Sequence, residues 1–253
     1  LLRRENVARY EDGAVVMCDR RKYPFEKAFH RCHDVEDAAR AIEDMVTQGG
    51  GPQYVGLYAM AMLAGQVADQ DSVKQREAFQ TARQRLVRTR PTNTSLARLL
   101  ERAIGIMYDA LDEGQSVEAK LLEWIEHIRD LSYEKHLKCG QFGASLIDDG
   151  DGILTMCFAE TSLLMTLAIA KQQGKNMQVF TPETRPYLQG ARLTAPSIHE
   201  IGVPVKIITD NMPAHVISEG KIKKYFTAAD LVTLDGHVVN KIGTFQNALA
   251  AHH

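Results

Sequence analysis

From residue 153 onward the chain alternates short apolar runs with longer segments of helical period. Residues 153–158, 177–180, 205–209 and 231–234 read as strands, and 161–173, 190–201, 214–224 and 243–251 as helices. That alternation restricts the fold more than any other feature, because strands joined through helices pair in parallel and are covered on both faces. Ligands of such sheets bind beyond the carboxyl ends of the strands. The last helix runs straight into Ala250-Ala251-His252-His253, and the chain does not begin with Met. A sheet of this kind is ordinarily completed by a further strand, so the domain is expected to be cut short at its C-terminus. No G-x-G-x-x-G follows a strand, so no dinucleotide is expected.

The first half has another rhythm. Asp12-Gly13 sits between apolar flanks, and Ala14 to Cys18 are β-prone. Two short antiparallel strands around a tight turn are expected. Helices follow over 34–45, with Asp34 as N-cap, and over 54–68, with Thr47-Gln48-Gly49-Gly50-Gly51-Pro52 breaking the chain between them. A polar helix over 69–90 stops at Pro91, Thr92, Asn93 and Thr94 offer caps for a helix over 95–113, and 116–138 is long and amphipathic. Gly140 and Gly143 are read as loosening the chain before the polar turn at 148–152. The fold class expected is α/β: an N-terminal hairpin-plus-helices domain over 1–140, then a Rossmann-like parallel-sheet domain over 141–253.

Composition removes several classes of function. Of 253 residues, 45% are hydrophobic and 25% charged, which is ordinary for a globular protein and too apolar for a disordered one. A formal net charge of -2 gives no general pull toward nucleic acid or an anionic membrane. The longest apolar runs fall well short of a bilayer crossing, and the start lacks the apolar core of a signal peptide. Cys18, Cys32, Cys139 and Cys157 are scattered, without C-x-x-C or zinc-like spacing. A reducing cytoplasm and no metal are therefore expected.

Chemistry-bearing residues gather at the predicted strand ends. The stretch VFTPETRPYLQGARLT, residues 179–194, sets Glu183, Arg185, Pro186, Gln189, Gly190 and Arg192 between a strand and a helix. Prolines fix φ, a glycine permits close approach, and guanidinium forks suit anions. The same loop also reads as a solvated connection whose Glu183 and Arg185 neutralise each other. Cys157 ends the first strand, as a catalytic thiol or as a small core hydrophobe. Asp210 ends the third strand, or caps the helix near Pro213. Asp230 lies between apolar flanks at the start of the fourth, where burial would favour a carboxyl that keeps its proton. Gly49 to Gly51 either present amides to a phosphate at a helix start or form a plain connection. Arg90 stands apart from the arginines before it, because Pro91 forces it out of helical conformation into a loop.

Three segments carry a resemblance: ETRPYLQGARLTA over 183–195, AADLVTLDGHVVNKIGTF over 228–245, and RPT over 90–92. They resemble the methylthioribose-1-phosphate isomerase family, which groups with ribose-1,5-bisphosphate isomerases and the regulatory subunits of the initiation-factor nucleotide exchanger. The resemblance implies an aldose–ketose isomerase of a 5-substituted ribose 1-phosphate, dimeric, without metal or nucleotide cofactor, and with no nucleic-acid or membrane partner. By the same resemblance the catalytic cysteine falls on Cys157 and the catalytic aspartate on Asp230. Substrate contacts fall on Arg90, Gln189, Asn240 and Lys241, with the amides of Gly50 and Gly51 at the phosphate. Two departures stand out. Gly49 occupies the place of the arginine in the family's R-G-A-P loop, and Met156-Cys157-Phe158-Ala159-Glu160 replaces H-C-N-x-G. The altered pocket wall brings 5-deoxyribose 1-phosphate in beside the methylthio sugar. A non-catalytic regulatory subunit binding a sugar phosphate or nucleotide is the alternative, and retention of both Cys157 and Asp230 favours the enzyme.

Overall fold

The computed structural model describes residues 1–91 and 94–253, so the expected caps Thr92 and Asn93 lie outside the described residues. The chain divides into two compact units, Leu1–Leu131 and Ser132–His253.

The first unit opens with a short helix, α1 (Arg4–Val7), and a three-stranded antiparallel sheet, β1 (Arg9–Glu11), β2 (Ala14–Cys18) and β3 (Phe29–Cys32). Asp12 and Gly13 both have positive φ, 51° and 70°, the turn geometry that matches the twist of a two-residue hairpin. β3 was not anticipated: Phe29 and Arg31 are exposed, so the strand carries no apolar alternation. Helices α2 (Val35–Glu43), α3 (Gly51–Gln66), α4 (Ser72–Arg88) and α5 (Thr94–Asp112) follow, and then α6 (Val117–Ser145). Asp34 caps α2 as expected, accepting from the Asp37 amide at 2.7 Å. α3 is the centre of the unit. Leu57, Tyr58, Met60, Ala61 and Met62 are all buried, on every side of the helix, because α2, α4, α5 and β2 surround it.

The division between the units falls inside α6, which also contains the boundary expected at residue 140. Gly140 and Gly143 do not loosen that helix. A Cβ on Gly140 would stand 2.6 Å from the Met165 Cβ, and one on Gly143 would stand 2.4 Å from the Thr166 Oγ1. Their lack of a side chain lets another helix lie against the α6 backbone.

That helix is α7 (Glu160–Gln172), which follows β4 (Asp151–Leu154). Next come β5 (Met177–Pro182), α8 (Ala195–Glu200), β6 (Val205–Ile208), α9 (Pro213–Ser218) and β7 (Lys224–Tyr225). The four strands form a parallel sheet in the order β6-β5-β4-β7. Successive residues of each strand serve opposite faces: Ile153 and Val179 join one apolar cluster with Leu167 and Ile198, while Leu154 and Phe180 join another with Val216 and Ile222. The direction of the chain's progress reverses between β4 and β7, and sheets of this kind bind ligands beyond the carboxyl ends at that point.

Three expectations need correction here. The fourth strand is β7, not 231–234. Gly220, at φ 71°, ends α9 early; its amide bonds to the Ile217 carbonyl and the Lys221 amide to that of Val216, which turns the chain back toward β4. Residues Leu231 and Val232 instead form β8 (Leu231–Val232), which pairs with β9 (Val238–Val239) as an exposed hairpin before α10 (Thr244–His252). The helix expected over 190–201 begins as a π-helical turn, Gly190–Thr194. Pro196 has no N–H to continue an α ladder, and the turn ahead of it widens so that the Ala195 amide reaches the Gly190 carbonyl. Finally, β4 ends at Leu154, so Cys157 lies beyond the strand rather than on it.

Candidate active site

The second unit builds its site from the segments that leave β4, β5 and β7. After β4 the chain passes Thr155 and Met156 and turns at Cys157, whose φ of 58° is unusual for a residue with a side chain. Glu160, at the place where the resemblance expects glycine, also has positive φ, 51°. Burial pushes the Cys157 thiol above its ordinary value. The Phe158 amide and the Lys241 ammonium oppose that rise, and the Asp230 carboxylate adds to it. The thiol therefore feels Lys241 and Asp230 together, from a segment far along the chain.

The β5 segment is fixed by a residue whose role was misjudged from sequence. Asp210 does not cap α9, whose N-cap is Met212 without a side-chain bond. Its two carboxylate oxygens accept from the amides of Thr184 and Arg185, each at 2.7 Å. Thr184 is buried and β-branched at φ 63°, a conformation that costs about 1–3 kcal/mol and persists only where surroundings impose it. The Glu183 amide bonds to Ile208 and the Leu188 amide to Thr184, closing the loop on itself. Gly190 then presses on the strand it left: a Cβ there would stand 1.8 Å from the Pro182 carbonyl oxygen. Between them Gln189 is 4% exposed, and its buried Oε1 has no hydrogen-bond partner. An orphaned acceptor of this kind awaits a donor such as a sugar hydroxyl. Thr194 ends the π turn and donates its hydroxyl to the Cys157 carbonyl, which ties the β5 segment to the cysteine. No feature of the sequence marked Thr194. The position of Asp210, directly after a strand end and level with the β5 loop, was the available signal for its role.

The β7 segment carries Asp230, Asn240 and Lys241. Asn240 donates to Thr227 Oγ1 at 2.9 Å and to Thr244 Oγ1 at 3.1 Å, joining both ends of the exposed hairpin to the start of α10. Gly243, at φ 96°, lies close enough to Met156 that a Cβ would meet its Cε at 2.9 Å, so this segment packs beside the cysteine. Asp230 is exposed, contrary to the buried acid expected, because its strand is part of the surface hairpin and not of the sheet.

In the first unit, the glycine run forms a tight loop entering α3. Gly49 has φ 61°, the Gly51 amide bonds to Gln48, and Pro52 occupies the first turn. Arg90 leaves the end of α4 and lays its guanidinium against the sulfur of Met45, at the start of that loop. Among the described residues no group of three or more His, Cys, Asp or Glu side chains is placed to hold a metal. Among the described residues no helix is long and apolar enough to cross a membrane.

Residues 52–253 match the model of the initiation factor 2 subunit family. The chain belongs to that family. A methylthioribose-1-phosphate isomerase of Caldicellulosiruptor saccharolyticus is 34% identical, over 96% of this chain and 74% of its own length. Among solved structures, 5-methylthioribose 1-phosphate isomerase from Pyrococcus horikoshii OT3 superposes with a TM-score of 0.85 at 28% identity, covering 98% of this chain and 72% of its own. The delta subunit of translation initiation factor eIF-2B from A. fulgidus gives 0.82 at 31% identity, over 98% and 74%. Within the family the chain is an isomerase of the methylthioribose-1-phosphate isomerase group.

Proposed function

We propose that the protein interconverts a 5-substituted ribose 1-phosphate and the matching ribulose 1-phosphate, with 5-methylthioribose 1-phosphate or 5-deoxyribose 1-phosphate as substrate, in a homodimer with a Rossmann-like second domain. The observation that carries this reading is that the segments leaving β4, β5 and β7 pack together around Cys157, with Gly243 close against Met156 and Thr194 bonded to the Cys157 carbonyl.

The chemistry asks for these groups. A phosphate on the anomeric oxygen blocks ordinary ring opening, so an acid must protonate the ring oxygen. Asp230 takes that role as the resemblance assigns it; because it is exposed, the incoming sugar must cover its carboxyl for a proton to be held there. Hydrogen then moves between C2 and C1. Cys157 is the base for a route through an enolate; the alternative is a hydride shift, which requires that the bound sugar exclude water from the site. Gln189 Oε1 accepts from a sugar hydroxyl, and Asn240, whose Nδ2 is held by Thr227 and Thr244, is assigned a further sugar contact. Lys241, Arg90 and the amides of Gly50 and Gly51 are assigned to the phosphate.

Proton and phosphorus NMR of the protein mixed in turn with 5-methylthioribose 1-phosphate, 5-deoxyribose 1-phosphate and ribose 1,5-bisphosphate tests the reading. Ketose signals are expected with the first or second sugar. Binding of all three without conversion would contradict isomerisation and return the chain to the non-catalytic subunits.

A further inference from the structure

The hydroxyl of Thr155 serves neither the fold of the second unit nor the mechanism proposed above. Thr155 comes directly after β4 and two residues before Cys157. It is fully buried, and its Oγ1 has no hydrogen-bond partner. A valine would fill the same space without leaving a buried polar group unpaired.

The direction of the side chain follows from the sheet. Ile153 pairs with Val179 and Leu154 with Phe180. The Thr155 amide donates to the Phe180 carbonyl at 3.0 Å, which carries the ladder one bond past the strand and sets Thr155 level with Thr181. Ile153 and Val179 point into the apolar cluster that contains Ile198, and two residues on, Thr155 and Thr181 return to that face. The β5 loop arches over the same face. Gly190 lies above Thr181, where a Cβ would stand 3.0 Å from Oγ1, and Thr194 reaches across to the Cys157 carbonyl. Thr155 is thus beneath the arch, between Thr181 and Cys157. At the start of the arch stands Gln189, whose buried Oε1 is likewise unpaired.

One unmet donor and one unmet acceptor under a single arch complement a hydroxyl, which accepts one bond and donates another. The carbon that gives up hydrogen in the proposed reaction comes to Cys157, and Thr155 leads into that residue. We propose that Thr155 is a further substrate-binding and specificity-determining residue. Its hydroxyl donates to the C2 oxygen of the sugar, whose own hydrogen goes to Gln189 Oε1. Both protein atoms are screened from solvent, so they are engaged as the sugar parts the side chains that cover them. The C2 oxygen ends as the ketose carbonyl, which only accepts, so the Thr155 bond outlasts the reaction and the Gln189 bond does not. The inference rests on the sugar-phosphate reading given above.

Equilibrium binding of ribose 1-phosphate and of 2-deoxyribose 1-phosphate to the full chain isolates that hydroxyl. The wild type is expected to bind the deoxy sugar more weakly by roughly tenfold or more. Thr155→Val is expected to weaken ribose 1-phosphate by roughly tenfold and to leave 2-deoxyribose 1-phosphate where it was. Its melting temperature should be unchanged or higher, because the hydroxyl removed had no partner in the free protein. Thr155→Ser keeps the donor and should keep the wild-type separation between the two sugars. A wild type that does not separate them overturns the proposal, and so does a Thr155→Val variant that separates them as the wild type does, or a Thr155→Ser variant that separates them no better than Thr155→Val. A Thr155→Val variant that melts lower or fails to fold also overturns it, since the hydroxyl would then serve the fold. Isomerisation of 5-methylthioribose 1-phosphate by Thr155→Val at the wild-type KM and kcat would sink this inference and leave the functional reading standing. The expected separation of the two sugars, with no isomerisation of any sugar by the wild type, would do the reverse.

Discussion

The β5 loop and the hairpin after β7 both carry residues assigned to substrate, yet they are held in opposite ways. Residues 183–194 are clamped by Asp210, folded over a strained Thr184, and pressed onto β5 through Gly190. The segment from Asp230 to Lys241 rests on one short pair of exposed strands, tethered at its base by Asn240. Leu231, Val232, Val238 and Val239 are all about half exposed or more. The contrast teaches that the two sides of the site contribute differently. The β5 side is pre-organised, with a buried amide oxygen already unsatisfied, whereas the hairpin brings its acid and its cation on a surface element. A rigid wall fixes the sugar's orientation, and an exposed one admits it.

The largest effects should come from the chemical groups on the two sides. Cys157→Ser and Asp230→Asn are each expected to cut turnover by about 10²–10⁴-fold, the range for loss of a general acid or base. Circular dichroism of both variants should match the wild type. If either variant isomerises at the wild-type rate, the role given to that residue is wrong.

A smaller and different effect is expected on the clamp. Asp210→Asn keeps one acceptor and loses the second charge-assisted bond to the loop amides, a cost of about 1.5–3 kcal/mol. It should lower both the melting temperature and turnover, because the strain at Thr184 is then opposed by less. Matching changes on the hairpin side should leave the melting temperature nearly unmoved. Equal losses of stability on the two sides would erase the comparison.

Much of this was legible in the sequence, and the misses have physical causes. Asp12-Gly13 announced the hairpin because its turn type needs positive φ at both positions, a purely local demand. The alternation from residue 153 announced the parallel sheet for the same reason. Asp34 announced its cap. Gly190 was read as a site of close approach, and the Pro182 carbonyl is what it approaches. The signals that failed all depended on distant partners. Gly140 and Gly143 resemble helix breakers unless α7 is known to lie across them. Asp210 resembles a helix cap unless the β5 loop is known to lie opposite. Asp230 sits in an apolar context in sequence, and only the pairing of Leu231 with Val239 shows that those neighbours face outward. The end of α9 at Gly220 was local and readable, and overlooking it displaced the fourth strand.

The account depends most on Cys157, Asp230 and Lys241 sharing one electrostatic environment. Alkylation of Cys157 by iodoacetamide as a function of pH, followed by peptide mass spectrometry in a Cys139→Ser background, reads this directly, since only the thiolate reacts. Burial raises the thiol's pKa, so the wild-type profile should rise only above the ordinary thiol range. Asp230→Asn removes a charge that favours the protonated thiol and should shift the profile to lower pH, while Lys241→Met removes one that favours the thiolate and should shift it higher. Opposite shifts are the predicted result; a profile that neither substitution moves would contradict the shared site.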